Sequence, residues 1–149
     1  MTHPIDIKGI DHIVLRVRDK DRAAAFYTTV LGGVLEWDRP ELGLTHVRVG
    51  RDLIDLVVLD GELGRRGGAG PGSEGRNLDH VCLRIHPFDE AVIGAHLAAH
   101  GVEVLEAGRR YGADGFGPAI YVRDPDGNIV ELKGGGPEPT TDRAGSAEG

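Results

Sequence analysis

Cysteine is almost missing from these 149 residues, Cys82 being the single one. An intrachain disulfide and any zinc site built on several thiolates are therefore excluded. Positive charge is also short. Seventeen Lys and Arg stand against 24 Asp and Glu, giving a formal net charge of −7. Phosphate backbones are bound by basic stripes, so nucleic acid is not an expected partner. Nowhere do 18 apolar residues run together, and MTHPIDIK at the start has no apolar stretch. Neither a membrane span nor a secretory signal is expected. These traits fit a cytoplasmic protein of one domain, and 40% hydrophobic residues allow it a packed core.

What the chain has in excess is glycine, 24 residues of it. GELGRRGGAGPGSEGR (61–76) has no apolar period and reads as a flexible connector. AGRRYGADGFGPA (107–119) reads similarly, with Tyr111 and Phe116 placed in a loop. The tail 135–149 is low in complexity and is expected to be disordered. The single domain, 7–134, thus divides into a first module at 7–60 and a second at 77–134.

The two modules repeat. IDHIVLRV (10–17) aligns with LDHVCLRI (78–85) at an offset of 68, sharing Asp, His, Leu and Arg. LIDLV (53–57) aligns with IVELK (129–133) at an offset of 76. The alternation at 10–17 predicts a strand. Apolar residues at 23, 26, 27, 30 and 31 predict a helix over 19–33, capped by Asp19 or Asp21 and ended by Gly32–Gly33. GVLEWD, LTHVRVG and DLIDLVVLD predict three further strands. The second module repeats the series: strand 78–85, helix 88–100, then strands near 102–107, 119–123 and 128–133. DPDG (124–127) is a tight turn feeding the last strand. The fold class is α+β, with βαβββ present twice.

Alternation also sorts the chemistry. His12, Val14 and Arg16 share one face of the first strand, and His80, Cys82 and Arg84 share one face of its repeat. Asp55 and Glu131 alternate with apolar neighbours in the closing strands. Each module thus offers one imidazole and one carboxylate at equivalent places, a donor set suited to a divalent transition ion. A carboxylate buried without a partner costs several kcal/mol, roughly, or must be protonated. If a pseudo-two-fold axis relates the modules, all four side chains converge on one point. His3, His46, His86, His96 and His100 form no comparable set and read as surface residues. Cys82 reads as a small buried hydrophobe.

DHIVLRV, FYTTVLG, DHVCLRI and RDPDGNIVEL resemble the vicinal oxygen chelate superfamily, which includes glyoxalase I, fosfomycin-resistance proteins, extradiol dioxygenases and bleomycin-resistance proteins. The resemblance covers roughly 8–133. It implies paired βαβββ modules forming a cupped mixed sheet around a divalent metal, commonly in a homodimer. Single-domain glyoxalase I is the nearest pattern. Its metal ligands fall on His12, Asp55, His80 and Glu131, and its glutathione-contacting arginine falls on Arg16. Its glutathione-binding Asn is replaced by Leu59. The resemblance implies a lyase or isomerase that chelates vicinal oxygens of a small substrate and moves a proton through an enediolate. Glu131 and Asp55 would be the carboxylates that carry it. Nickel, zinc, cobalt, manganese and iron(II) all suit the donors. An extradiol-type iron(II) dioxygenase would use His12, His80 and Glu131, with Tyr121 as a substrate-binding residue. A third reading is a drug-binding protein of the bleomycin-resistance type.

Overall fold

The computed structural model describes residues 3–137. The disorder expected of the tail therefore falls, from 138 onward, outside the described residues. The chain divides after Gly68 into two compact units, and each builds one four-stranded mixed sheet.

In unit one the alternating stretch forms β1 (His12–Val17). Leu15 and Val17 are fully buried, whereas His12 and Val14 stay exposed, as two faces of one strand require. Asp19 caps α1 (Lys20–Ala25) by accepting from the Arg22 backbone N–H at 2.9 Å. The helix expected to run on to 33 changes character at Phe26. Residues Phe26–Val30 form a π-helical turn, in which the Leu31 N–H reaches the Phe26 carbonyl at 3.0 Å. Phe26 and Tyr27 are both buried there. Gly33 then donates to the Tyr27 carbonyl at 2.8 Å. A Cβ at Gly33 would lie 2.6 Å from that oxygen, so only glycine closes the turn. Three strands follow: β2 (Val34–Arg39), β3 (Leu44–Val49) and β4 (Asp52–Val58). The sheet order is β1-β4-β3-β2, with β1 and β4 parallel. Leu15, Val47, Ile54 and Leu56 form the core under α1. Each such aliphatic side chain contributes roughly 2 kcal/mol by leaving water.

Unit two repeats the connectivity. It has β5 (Val81–Arg84), α2 (Glu90–Ala99), β6 (Glu106–Gly112), β7 (Gly115–Arg123) and β8 (Ile129–Lys133). The order is β5-β8-β7-β6, again with first and last strands parallel. Asp89 caps α2 by accepting from the Val92 N–H at 3.1 Å. The DPDG turn is held by Asp124, whose buried carboxylate accepts from the Asp126 and Asn128 N–H groups at 2.9 and 2.8 Å.

Two expectations need correction. The strand placed near 102–107 begins at Glu106 and continues to Gly112. The stretch 107–119, read as a loop, is the β6–β7 hairpin, in which Tyr111 pairs with Phe116, ring centroids 5.2 Å apart. Gly117 marks close approach rather than looseness: a Cβ there would lie 2.1 Å from the Gly134 carbonyl oxygen. The connector also carries local order, a 3₁₀ turn at Gly64–Gly67.

Candidate functional site

Cross-strand register lines side chains into rows on each face of a sheet. In unit one a row runs Val14, Asp55, His46, Trp37. In unit two the matching row runs Cys82, Glu131, Tyr121, Glu106. Asp55 and Glu131 thus hold equivalent places, as the repeat predicts. His46 and Tyr121 hold equivalent places too, which the strand-by-strand comparison above does not anticipate.

Asp55 is buried, with 7% of its side chain exposed. Its Oδ1 lies 2.7 Å from His46 Nδ1. Its Oδ2 lies 4.0 Å from His12 Nε2. His12 Nδ1 is in turn 2.6 Å from Asp11 Oδ1. That hydrogen bond raises the His12 pKa above the ordinary value; the charges of Asp55 and Asp11 add to it, and partial desolvation opposes it. His46 stacks on Trp37 at 5.9 Å between centroids. His46 is therefore no surface residue: with 16% of its side chain exposed, it braces the carboxylate. A signal existed in the sequence. THVRV at 45–49 and IYVRD at 120–124 share Val-Arg at an offset of 75, which sets His46 on Tyr121.

Unit two has the same line of groups. His80 Nδ1 is 2.6 Å from Asp79 Oδ1, and this bond holds the Asp79 carboxyl below its usual range. His80 Nε2 is 3.2 Å from Glu131 Oε2. Glu131 keeps only 6% of its side chain exposed, and its Oε1 is buried with no hydrogen-bond partner. Burial first, and then the charge of Glu131, push the Cys82 thiol up to about 11 and raise the Tyr121 phenol. Cys82 is exposed rather than buried as expected. Its desolvation is local to the sulfur, which faces the carboxylate across the β5–β8 register. Tyr121 presents its ring edge to His80 at 5.9 Å and carries the Arg110 guanidinium 5.4 Å above its ring.

Arg16, expected at a substrate, donates to the backbone carbonyls of Gly64, Gly67 and Gly68 at 2.9, 3.2 and 2.6 Å. It fastens the 3₁₀ turn to β1.

Three features suit these donors to a divalent transition ion. Each imidazole has its Nδ1 engaged by the preceding aspartate, which directs Nε2 toward the buried carboxylate, the outer-sphere arrangement metal-binding histidines use. Glu131 Oε1 is an uncompensated acceptor, which a cation would satisfy. The donors are imidazole and carboxylate, without thiolate, a set that zinc, nickel and iron(II) accept. Each unit supplies one such pair. Among the described residues no cluster of three or more groups able to hold an ion by itself is found.

A duplicated βαβββ unit with a histidine at the head of each first strand, His12 opening β1 and His80 just before β5, and an acid on each last one has a counterpart among known proteins. The family profile described as Glyoxalase/Bleomycin resistance protein/Dioxygenase superfamily matches residues 9–132. The chain belongs to this superfamily. Among the superfamily's proteins, the Glyoxalase domain-containing protein RDO1 of Mycosarcoma maydis is 31% identical over 132 residues, 86% of this chain and 69% of that protein. The Virulence protein STM3117 of Salmonella typhimurium is 30% identical over 129 residues, 85% of this chain and 83% of that one. The crystal structure of STM3117 superposes with a TM-score of 0.70 at 26% identity, covering 87% of this chain and 98% of that one. The Lactoylglutathione lyase from Agrobacterium tumefaciens superposes with a TM-score of 0.64 at 24% identity, covering 87% and 96%. At that identity the likeness is one of fold. No helix among the described residues is long and apolar enough to cross a membrane.

Proposed function

We propose that this chain is a metal-dependent enzyme of the glyoxalase I-like type, acting on a small substrate with vicinal oxygens and moving a proton next to its carbonyl. The observation that carries this reading is the doubled line of aspartate, histidine and buried carboxylate: Asp11, His12 and Asp55 in one unit, Asp79, His80 and Glu131 in the other. His12, Asp55, His80 and Glu131 are the residues that would hold a divalent ion. A bound divalent ion supplies Lewis acidity and draws negative charge onto substrate oxygens. Asp11 and Asp79 fix the tautomers of the two rings, so each offers a lone pair at Nε2. Glu131 takes the proton, because its Oε1 is bare whereas Asp55 Oδ1 is engaged by His46. Asp55 acts as an anchored charge. Arg16 acts by holding the turn at Gly64–Gly67.

A second reading, an iron(II) extradiol dioxygenase, is favoured by Tyr121 alone. Its phenol flanks Glu131 and its ring meets His80.

Elemental analysis of protein purified without added metal tests both. Wild type should carry a divalent ion and His12→Ala should lack it. Nickel or zinc, with turnover of methylglyoxal plus glutathione, supports the isomerase. Iron, with turnover of catechol plus oxygen, supports the dioxygenase. Wild-type protein that binds no divalent ion overturns both. Mixing His12→Ala with His80→Ala then reads the assembly. Recovered metal binding places the two pairs on one ion across a homodimer, and no recovery places them within one chain.

A further inference from the structure

We propose that unit two contains a carboxylate subsite in which Lys133, with Arg84, holds an acid group of the substrate; the substrate class is then a small carboxylic acid that also bears vicinal oxygens. The substrate part of this inference rests on the metal-dependent reading above, whereas the subsite itself does not.

A cavity of about 260 Å³ opens in unit two. His80, Cys82 and Glu131 line one part, Arg84 and Lys133 another, and the β6–β7 turn at Tyr111–Asp114 covers it. Lys133 follows Glu131 by two residues on β8, so both side chains leave the same face. Their origins are about 7 Å apart, two residues of strand rise. Arg84 stands opposite Lys133 in register, as Cys82 stands opposite Glu131. Beyond Lys133 the row continues with Ala119 and Gly108, which project little into the space.

The formal charges of this cavity balance, but they are not paired one to one. Its acids are Glu131 and Asp114, and its cations are Arg84 and Lys133. Asp114 Oδ2 accepts from Arg84 Nε at 2.5 Å. Glu131 faces His80. Lys133 keeps only 7% of its surface exposed, yet its ammonium has one hydrogen bond, to the Gly134 carbonyl at 3.3 Å. Among the described residues no carboxylate lies within ion-pair reach of it. Buried lysines are rare unless paired, because an unpaired buried charge is costly. Space for the lysine tail is kept open by Gly112, where a Cβ would lie 3.0 Å from Lys133 Cε. An ammonium without a carboxylate partner, opposite in register to an arginine already oriented through Nε, matches a single negative charge with planar oxygens. The spacing along β8 then orders the substrate: its acid group is held from a position about 7 Å along the strand from Glu131, beyond the oxygens handled at His80 and Glu131.

Two binding measurements on the full chain test this. With nickel-loaded protein, calorimetry compares catechol with 3,4-dihydroxybenzoate, which adds only a carboxylate. The acid should bind about tenfold tighter, as one charge-assisted contact allows. Lys133→Met should abolish the preference and Lys133→Arg should keep most of it. With metal-free wild-type protein, benzoate should shift the side-chain NMR signals of Lys133 and Arg84, and benzamide should not. This second arm needs no variant, so it decides the matter if Lys133→Met fails to fold. Equal binding of the two catechols, or equal response to benzoate and benzamide, overturns the subsite. Protein that takes up no nickel yet answers to benzoate keeps the subsite and removes the metal-dependent reading instead.

Discussion

The two modules place a carboxylate at the same point of their own sheets and treat it differently. In module one Asp55 is gripped: His46, on the neighbouring strand, takes Oδ1 at 2.7 Å and is itself stacked on Trp37. In module two Tyr121 stands where His46 stands, and Glu131 keeps Oε1 without a partner. Its side chain is one methylene longer and lines a cavity. The pair teaches that a duplicated scaffold can separate two duties. In the proposed reaction the short, braced acid holds a position, and the longer acid, with Oε1 unengaged, takes the proton.

The largest effect that would test this comparison lies outside Asp55 and Glu131. Asp11→Ala and Asp79→Ala should each weaken divalent-metal affinity by about 10- to 100-fold, measured by competition with a chelator, because each releases a ring from its fixed tautomer. Loss from only one of the two would show that the modules are not equivalent as ligand donors. Next come the acids themselves in metal-free protein. Asp55→Asn should cost about 1 kcal/mol in urea unfolding, since a charge-assisted bond to His46 becomes a neutral one. Glu131→Gln should raise stability by about 1 kcal/mol, since a buried charge lacking full compensation is removed. Equal signs for the two variants would erase the proposed division of duties.

Cys82 offers a chemical probe of the second module. With its thiol pushed up to about 11, iodoacetamide alkylation followed by mass spectrometry should accelerate around that pH. It should remain slow near 8.5, the usual thiol value. The smallest effect concerns the Lys20–Asp38 pair at 2.8 Å, which ties α1 to β2 in module one. Module two has Phe88 and Ala107 at the corresponding places. Hydrogen bonds from Lys20 and Thr45 lower the Asp38 pKa. Its contribution is therefore present above the ordinary carboxyl range and lost as pH falls through the lowered value. The Lys20 pKa is raised by Asp38, so that contribution is present below the ordinary lysine range and lost as pH rises past the raised one. Both groups are over a quarter exposed, so Asp38→Asn should cost less than about 1 kcal/mol near neutral pH and flatten the acid limb of the stability curve.

Much of this fold was legible because duplication prints each signal twice. The strand pattern at 12–17 is ambiguous alone, and its recurrence at offset 68 fixes both copies. Asp55 and Glu131 were found the same way. Legibility failed where physics is non-local. His46 pairs with a residue nine positions away across a hairpin, and no period in the sequence marks that contact. The hairpin at 106–123 was hidden by its glycines, which composition reads as looseness. Gly112 and Gly117 are there because Lys133 and Gly134 press against them from β8 and just beyond it. The π-helical turn at Phe26–Val30 adds one residue to a helical ring, which an apolar stripe does not disclose.

Each sheet pairs its opening strand with its closing one, side by side and in the same direction. A growing polypeptide therefore holds His12–Val17 without a neighbour until Asp52–Val58 has been added. Once Val58 has emerged from the ribosome, everything module one's sheet needs has been synthesised. The sheet can zip shut while module two is still being translated, so the wait for a strand neighbour is about forty residues, at most eight or so seconds of translation, and not the length of the whole protein.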